Sequence, residues 1–429
     1  MPALAPVFKR TALPPQFCNL ERLFDTLERR GLDGVVAYLR PNVFYLSGFA
    51  PPSNQSVHET NGYAAVVISR HAPDDPIIVV AEFDLMYLRH EPTWIHDVRP
   101  YATLLLPFDI PIGEAPLERF VPAAERSAEW FLRARDRYAP SLVDGVQTAL
   151  SDLGLEHARV GFDDLRLART LQMQDAEDAY GTLKYVRQVK TAQEIELLKT
   201  ATRLNQLAIE RTIATWSRGT TWQELVHTYN VTATQLGGFV RDPGAIVIAN
   251  PVGVDPALYM YSALDSEDFV VEPGMHIMWD CHGTWQHYCW DGGKTWVVDD
   301  APRGNSRSIG EATAAAMDAL QSAMRPGVRL SQLQAEGRRA FRLGGLSQER
   351  ADGAFIFFHG LGLEHIDMEV TSSHQDWALE DGMVVSAHLQ VPGGDRERGW
   401  LEEIFLVTPA GGEPFFSWDH APIAGDAIV

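Results

Sequence analysis

Side chains that can bind a metal ion stand within or beside apolar, β-rich segments in the second half of the chain. They are Asp280 after 276–279, Asp291 after 288–290, His359 after 355–358, His388 after 383–387, and Glu402 and Glu403 within 400–407. Such groups are rarely buried in a sheet unless they are paired or bound to a metal. The pattern predicts a shared metal site. The alternative is that each residue lies separately at a strand end and is satisfied by local hydrogen bonds.

An internal repeat relates two of these residues. The matching segments are Gly219–Leu225 with Gly327–Leu333, and Val271–Met275 with Leu379–Met383. Both pairs have the same offset, because 327 − 219 = 108 and 383 − 275 = 108, and 280 + 108 = 388 makes Asp280 equivalent to His388. Two repeats are too few for a solenoid. The sequence therefore predicts two similar α+β halves with the metal-binding side chains in a cleft where they meet.

The elements before this region alternate between helix and strand. The sequence predicts helices at 20–30, 125–138 and 142–153, and strands at 34–38, 63–69, 77–83 and 159–162. Gly31 fits the left-handed position after a helix, and Pro41-Asn42 predicts a turn. The alternation predicts an α/β domain over residues 1–186. Thr191 and Glu194 form a capping box that begins a long helix, so the second domain is expected over 187–429.

Composition limits the class of partner. The 429 residues include 36 Lys and Arg against 57 Asp and Glu, so the net charge is 36 − 57 = −21, which argues against nucleic acid or an anionic membrane. No run approaches the ~18 apolar residues of a membrane span, and the first residues lack the apolar core of a secretory signal. The three cysteines have no CxxC spacing and cannot form a disulfide framework. We expect a cytoplasmic protein with a small-molecule substrate.

Several motifs together resemble the creatinase, aminopeptidase P, prolidase and methionine aminopeptidase superfamily. They are Asn42–Gly48, Val189–Ile195, the spacing of Asp280, Tyr288 and Asp291, His359–Glu364, and Leu401–Thr408. The resemblance covers about residues 20–410 and implies a creatinase-like N-terminal α/β domain followed by a duplicated "pita-bread" catalytic domain. It also implies a homodimer formed through the first domain.

The resemblance implies a metal centre as well. The two Asp, one His and two Glu of the family carry over to Asp280, Asp291, His359, position 388 and Glu402, and position 388 departs because it is His instead of Glu. A carboxylate-rich set favours Mn²⁺, Co²⁺, Fe²⁺ or Zn²⁺. One neutral imidazole cannot bridge two ions as a carboxylate does, so the centre is expected to bind one or two ions. The imidazole also favours iron or zinc over the other candidate ions.

Two further departures concern the substrate. The family's peptidases carry a His before the first metal Asp, where this chain offers Tyr259 and Tyr261, and a second His seven residues after the ligand His, where this chain has Ile366. In those peptidases the two histidines hold the peptide and stabilise the tetrahedral intermediate. Their absence predicts a non-peptide substrate, unless the adjacent His365 takes the vacant role.

The candidate catalytic residues are His365, Asp367 and Glu402, and the candidate substrate-binding residues are Tyr259, Tyr261 and His282. On a strand, His282 shares the face of Asp280 two residues earlier. It is a further metal ligand, a proton carrier, or a core histidine with satisfied hydrogen bonds.

The leading hypothesis is a metal-dependent hydrolase, similar to Xaa-Pro aminopeptidase and prolidase, that cleaves a C–N bond in a small substrate. One alternative is a lyase of the dimethylsulfoniopropionate-lyase type, in which a base near His365 abstracts a proton. Two histidines beside carboxylates also fit an iron-dependent oxygenase. The last alternative is a metal-free binding module, against which the five metal-competent residues argue.

Overall fold

A computed structural model of the chain describes residues 7–10, 12–52, 61–91, 93–103, 116–254, 268–300, 302–369 and 375–425. The chain divides into two compact units, Thr11–Arg187 and Gln188–Val429, and the second also includes Met1–Arg10. Within the described ranges, no helix combines the length and the apolar character needed to cross a membrane.

The first unit has the predicted α/β fold around a six-stranded mixed sheet. Its strands are β1 (Gly34–Leu39), β2 (Asn61–Ser69), β3 (Ala72–Ala81), β4 (Asp97–Tyr101), β5 (Val160–Phe162) and β6 (Glu177–Asp178). Its helices are α1 (Leu20–Arg30), α2 (Arg40–Ser47), α3 (Glu129–Asp136), α4 (Leu142–Asp152), α5 (Leu165–Thr170) and α6 (Tyr180–Arg187). The strand order is β4-β3-β2-β1-β5-β6, and β1 runs antiparallel to β2 and parallel to β5.

Two local expectations in this unit need correction. The turn expected at Pro41-Asn42 is wrong, because Pro41 lies in the first turn of α2. Proline is tolerated there since the first amides of a helix have no intrahelical acceptor. The helix expected from residue 125 begins at Glu129 and follows a short 3₁₀ turn at Ala123–Glu125. By contrast Gly31 has the expected left-handed conformation, with a φ of 65°.

The second unit is the predicted α+β domain, with helices packed on a nine-stranded sheet. Its helices are α7 (Ala192–Ile213), α8 (Trp222–Leu236), α9 (Asn305–Ala323), α10 (Leu330–Leu343) and α11 (Gln348–Asp352). Its strands are β7 (Phe239–Ile248), β8 (His276–Trp285), β9 (Tyr288–Trp290), β10 (Gly293–Val297), β11 (Phe355–Gly360), β12 (Val384–Val391), β13 (Gly399–Thr408), β14 (Gly411–Pro414) and β15 (Ile423–Ala424). The predicted capping box of Thr191 and Glu194 begins α7.

The repeat read from the sequence is present in the sheet. The main path of the sheet is β11-β12-β13-β10-β8-β7, so β7, β8 and β10 mirror β11, β12 and β13 about the β10–β13 pair. Isolated bridges join Thr221 to Val270 and Arg329 to Ala378, and both ends shift by the same offset, since 329 − 221 = 108 and 378 − 270 = 108. Strands β8 and β12 begin at residues 276 and 384, again 108 apart. The two halves therefore have equivalent strands, and these carry Asp280 and His388.

Candidate metal centre

Three adjacent strands of the second half carry metal-binding side chains on one face of the sheet. His388 on β12 lies opposite Glu402 on β13, and His359 on β11 lies opposite Ser386 on β12. Directly opposed residues share a face, and so do residues two apart on one strand. His359, His388 and Glu402 consequently project from the same side.

Asp291 reaches this group from the first half through a tight turn between β9 and β10. Gly292 and Gly293 follow it with φ values of 82° and 150°, in the region where glycine is favoured. A Cβ atom on Gly292 would lie 3.0 Å from Cγ of Glu402, so the close approach of the turn to Glu402 requires a residue without a side chain. The Gly292 amide also donates to Oδ1 of Asp291 at 2.9 Å.

A chain of buried hydrogen bonds stabilises this turn. Asn205 on α7 donates through Nδ2 to the carbonyl oxygens of Asp291 at 3.2 Å and Gly292 at 2.9 Å. Its Oδ1 accepts from the Tyr229 hydroxyl at 2.7 Å, and that hydroxyl accepts from Nε1 of Trp290 at 3.1 Å. The sequence analysis missed Asn205, although a polar residue beside Leu204 on the apolar face of a helix was an available signal.

Four side chains form one compact, buried group: Asp291, His359, His388 and Glu402. One ligand atom from each lies within 4.8 Å of the others. Within the described part of the chain, Oδ2 of Asp291, Nε2 of His359, Nδ1 of His388 and Oε2 of Glu402 are buried without hydrogen-bond partners. Buried polar atoms are costly when unpaired, and a cation would satisfy these lone pairs. Two carboxylates and two imidazoles therefore fit a divalent ion such as Mn²⁺, Co²⁺, Fe²⁺ or Zn²⁺.

Ser386 was also missed by the sequence analysis. Its hydroxyl donates to Oε1 of Glu402 and lies 3.2 Å from Nε2 of His388. The same Nε2 atom is 3.1 Å from Oε1 of Glu402. These contacts fix one side of Glu402 and leave its Oε2 atom for another partner. The signal was its position two residues before His388, where strand alternation places it on the same face.

A second group shares Asp291 with the first and consists of His282, Asp291 and His365. His282 Nε2 lies 3.0 Å from Oδ1 of Asp291 and 3.2 Å from Oδ1 of Asp280. His365 Nδ1 lies 3.4 Å from Oδ2 of Asp291, and its side chain is 39% exposed. Asp280 and His282 do share one face of β8, and Asp280 is joined to Asp291 through the His282 ring.

The pKa values of the residues in this group are shifted in different directions from their usual values. Burial raises the pKa of Glu402 well above its usual range, and the charges of Asp291 and Asp280 raise it further. Burial would also raise the pKa of Asp291, but hydrogen bonds to His282 and His359 together with the charges of His282 and His365 outweigh it and hold that pKa well below its usual range. Burial lowers the pKa of His388 well below its usual value. A neutral imidazole with a free lone pair is the form that binds metal.

Burial and His282 oppose each other at Asp280, where burial prevails and raises the pKa. Burial alone would lower the pKa of His282, but its bonds to Asp280 and Asp291 raise it to about 10.

Glu403, the neighbour of Glu402, belongs to another environment. Its Oε1 atom accepts from the amides of Ile404, Phe415 and Phe416 at 2.9, 3.2 and 3.1 Å. Its Oε2 atom lies 3.7 Å from Nε2 of His420. Strand alternation sends Glu403 away from His388, which leaves Glu402 as the candidate ligand.

Asp367, expected as a catalytic residue, lies in a different setting. Its Oδ2 atom accepts from Nζ of Lys190 at 2.9 Å and from the Leu363 amide at 3.1 Å. Both charged side chains are fully buried. This buried ion pair accounts for the position of the carboxylate, and a catalytic role of Asp367 stays a prediction. Tyr259 and Tyr261, the expected substrate-binding residues, lie outside the described residues.

Comparisons with known proteins match both units. The sequence model of the Creatinase/Prolidase N-terminal domain matches residues 19–179, and that of Metallopeptidase family M24 matches residues 196–409. An uncharacterized peptidase of Staphylococcus aureus (strain bovine RF122 / ET3-1) is 25% identical over 242 residues. That match covers 54% of this chain and 63% of the relative, so the chain spans less than two thirds of its length.

Solved structures match over nearly the whole chain. The X-Pro aminopeptidase of Thermotoga maritima MSB8 superimposes with a TM-score of 0.65 at 18% identity, covering 95% of this chain and 99% of that one. A dipeptidase of Pyrococcus horikoshii OT3 superimposes with a TM-score of 0.69 at 17% identity, covering 94% and 99%. At these identities the likeness establishes the fold.

Proposed function

Because the chain belongs to the creatinase, aminopeptidase P and prolidase superfamily, we propose that it is a metal-dependent hydrolase that cleaves a C–N bond in a small substrate. The observation that carries the proposal is the buried group of Asp291, His359, His388 and Glu402, whose ligand atoms lie within 4.8 Å of one another and each of which has a buried polar atom without a hydrogen bond among the described residues. A purely structural cluster would be expected to pair these atoms with one another or with backbone groups.

The four residues would hold a divalent ion, which would polarise the substrate and acidify a water molecule. His365 lies at the border between this group and solvent, with Nδ1 3.4 Å from Asp291. From there it can accept a proton from the attacking water and return it to the leaving nitrogen. Ser386 donates to Oε1 of Glu402, and Oε2 is the oxygen that has no hydrogen-bond partner among the described residues.

We infer that the substrate is not an ordinary peptide. Ile366 stands where peptidases of the superfamily carry a histidine, and it is 47% exposed. Phe357, also exposed, stacks on the His388 ring with 3.9 Å between ring centroids. Phe357 contacts the candidate ligand His388, and Ile366 follows His365 in the chain. These apolar groups favour a compact substrate with an apolar part beside its scissile amide or amidine.

The experiment that tests this function begins with the metal content of the purified protein. The protein is then assayed against Xaa-Pro dipeptides and against small N-acyl and amidino compounds, with ¹⁸O-labelled water. Hydrolysis is expected to place ¹⁸O in the product, whereas an alkene product would indicate a lyase and oxygen consumption an oxygenase.

Asp291→Asn, which removes the charge at nearly constant shape, is expected to abolish both metal retention and turnover. Asp381→Asn, at an exposed carboxylate, is the matched control. A wild-type protein that binds no divalent ion would refute the proposal and leave the metal-free binding module. The homodimer and the cytoplasmic location stay predictions.

A further inference from the structure

The His282 ring lies between two carboxylates of the centre. Its Nε2 atom is within hydrogen-bond distance of Asp280, at 3.2 Å, and of Asp291, at 3.0 Å. Asp280 is on the same strand two residues away, and Asp291 is in the turn after β9. His282 is therefore the group that bridges these carboxylates in the described structure.

An ion shared by Asp280 and Asp291 would need the same space. Metal–oxygen distances to carboxylates are about 2.0–2.2 Å for ions such as Zn²⁺. An atom that is about 3 Å from both oxygens already occupies the region between them, where such an ion would lie. The ring is held there by the alternation of β8, which directs both Asp280 and His282 to the same face.

The other three candidate ligands do not need the space between Asp280 and Asp291 that His282 occupies. His359, His388 and Glu402 come from three other strands, and Nε2 of His359 lies 3.4 Å from the other oxygen of Asp291, Oδ2. Oδ1 of Asp291 is the oxygen that contacts His282. Oδ1 of Asp291 therefore faces His282, whereas Oδ2 faces His359 and also lies 3.4 Å from Nδ1 of His365.

We propose that His282 takes the place of a second metal ion, so that the centre binds one divalent ion per chain. The ion is held by Asp291, His359, His388 and Glu402, and the His282 ring bridges Asp280 to Asp291. This inference rests on the proposed metal-dependent function and specifies the composition of its site. The opposing possibility is that His282, with Asp291 and His365, is itself a ligand of a second ion.

Metal stoichiometry separates these two roles of His282 without an activity assay. Metal-free wild-type protein and the variant His282→Ala are titrated with Mn²⁺ in a calorimeter, and bound metal is counted by mass spectrometry. We expect one ion in the wild type and a second ion in the variant, because the space between Asp280 and Asp291 is then open. Electron paramagnetic resonance of the bound Mn²⁺ is expected to change from an isolated ion to a coupled pair.

Two further variants complete the test. His227→Ala, at an exposed histidine of α8, controls for the loss of a histidine elsewhere and is expected to keep one ion. His282→Asp, which supplies a carboxylate in place of the ring, is expected to bind two ions even if the alanine variant does not fold.

The outcomes have distinct meanings. Two ions in the wild type and one in His282→Ala would overturn the proposal, because His282 would then be a ligand. One ion in the wild type and in both His282 variants would overturn it while leaving the proposed function intact. No bound ion in any form would refute the proposed function itself.

Discussion

The buried ion pair of Lys190 and Asp367 gives the sharpest stability prediction. Asp367→Asn removes the negative charge that pairs with the Lys190 ammonium at 2.9 Å, and Lys190 stays fully buried. Removing one partner of a buried pair costs about 3–5 kcal/mol, because the remaining charge stays desolvated and uncompensated. The free energy of unfolding of the second unit is expected to fall by that amount.

A second perturbation reaches the same pair from the backbone. A Cβ atom on Gly362 would lie 1.9 Å from Oδ2 of Asp367 and 2.5 Å from Nζ of Lys190, so Gly362→Ala must displace both charged groups. Its effect on stability is expected to be comparable. The double variant Lys190→Met with Asp367→Leu removes both charges of the pair and is expected to recover much of the loss, since two apolar side chains then replace it.

Urea denaturation of the metal-free proteins measures these differences, and metal retention of the folded fraction is measured in parallel. A structural role predicts a large stability loss with metal binding of the folded protein unchanged. If Asp367→Asn keeps the wild-type stability but lowers kcat by a hundredfold or more, the ion-pair explanation is wrong and Asp367 is a catalytic residue.

Three other predictions concern the support of the centre. Asn205→Ala removes the two hydrogen bonds to the carbonyl oxygens of Asp291 and Gly292 and is expected to lower metal affinity about 10–100-fold. Calorimetry measures this affinity, and an unchanged value would contradict a positioning role for Asn205. Phe357→Ala removes the ring that stacks on His388 and is expected to speed the loss of metal to a chelator. The control is Phe355→Ala, at an exposed residue on the same face, which is expected to leave the rate of metal loss unchanged. Metal-free wild type should lose stability as pH rises from 6.5 to about 10, on the order of 5 kcal/mol at most, because the stability from the raised pKa of His282 is fully present only below 6.5. His282→Gln should flatten this dependence in denaturation curves, and an unchanged slope would exclude His282 as its source.

Much of the fold could be predicted because local signals agreed with the tertiary structure. Thr191 and Glu194 marked the beginning of α7, and a constant offset revealed the duplicated halves. Pro41 misled because a proline suits both a turn and the first turn of a helix, and only packing decides between them. Pattern alone therefore located the elements better than it located their boundaries.

The candidate site could be predicted only as far as strand alternation reaches. Strand alternation predicted that His282 lies beside Asp280. It gave no information on the ion pair of Asp367, because the partner Lys190 is 177 residues away in sequence. Asn205 and Ser386 were missed because their roles depend on contacts with the Asp291 turn and with Glu402. Such contacts arise from packing between elements, which spacing within one element does not encode.

The pairing of β10 with β13 has a thermodynamic consequence. Asp291 belongs to the first half of the duplicated domain and the other three candidate ligands to the second, on opposite sides of this pair. An ion bound by all four residues would link the two halves of the domain. Its binding free energy would therefore also stabilise the association of the halves. A chain cut between β10 and α9 would then be expected to stay assembled at metal concentrations above the dissociation constant and to come apart below it.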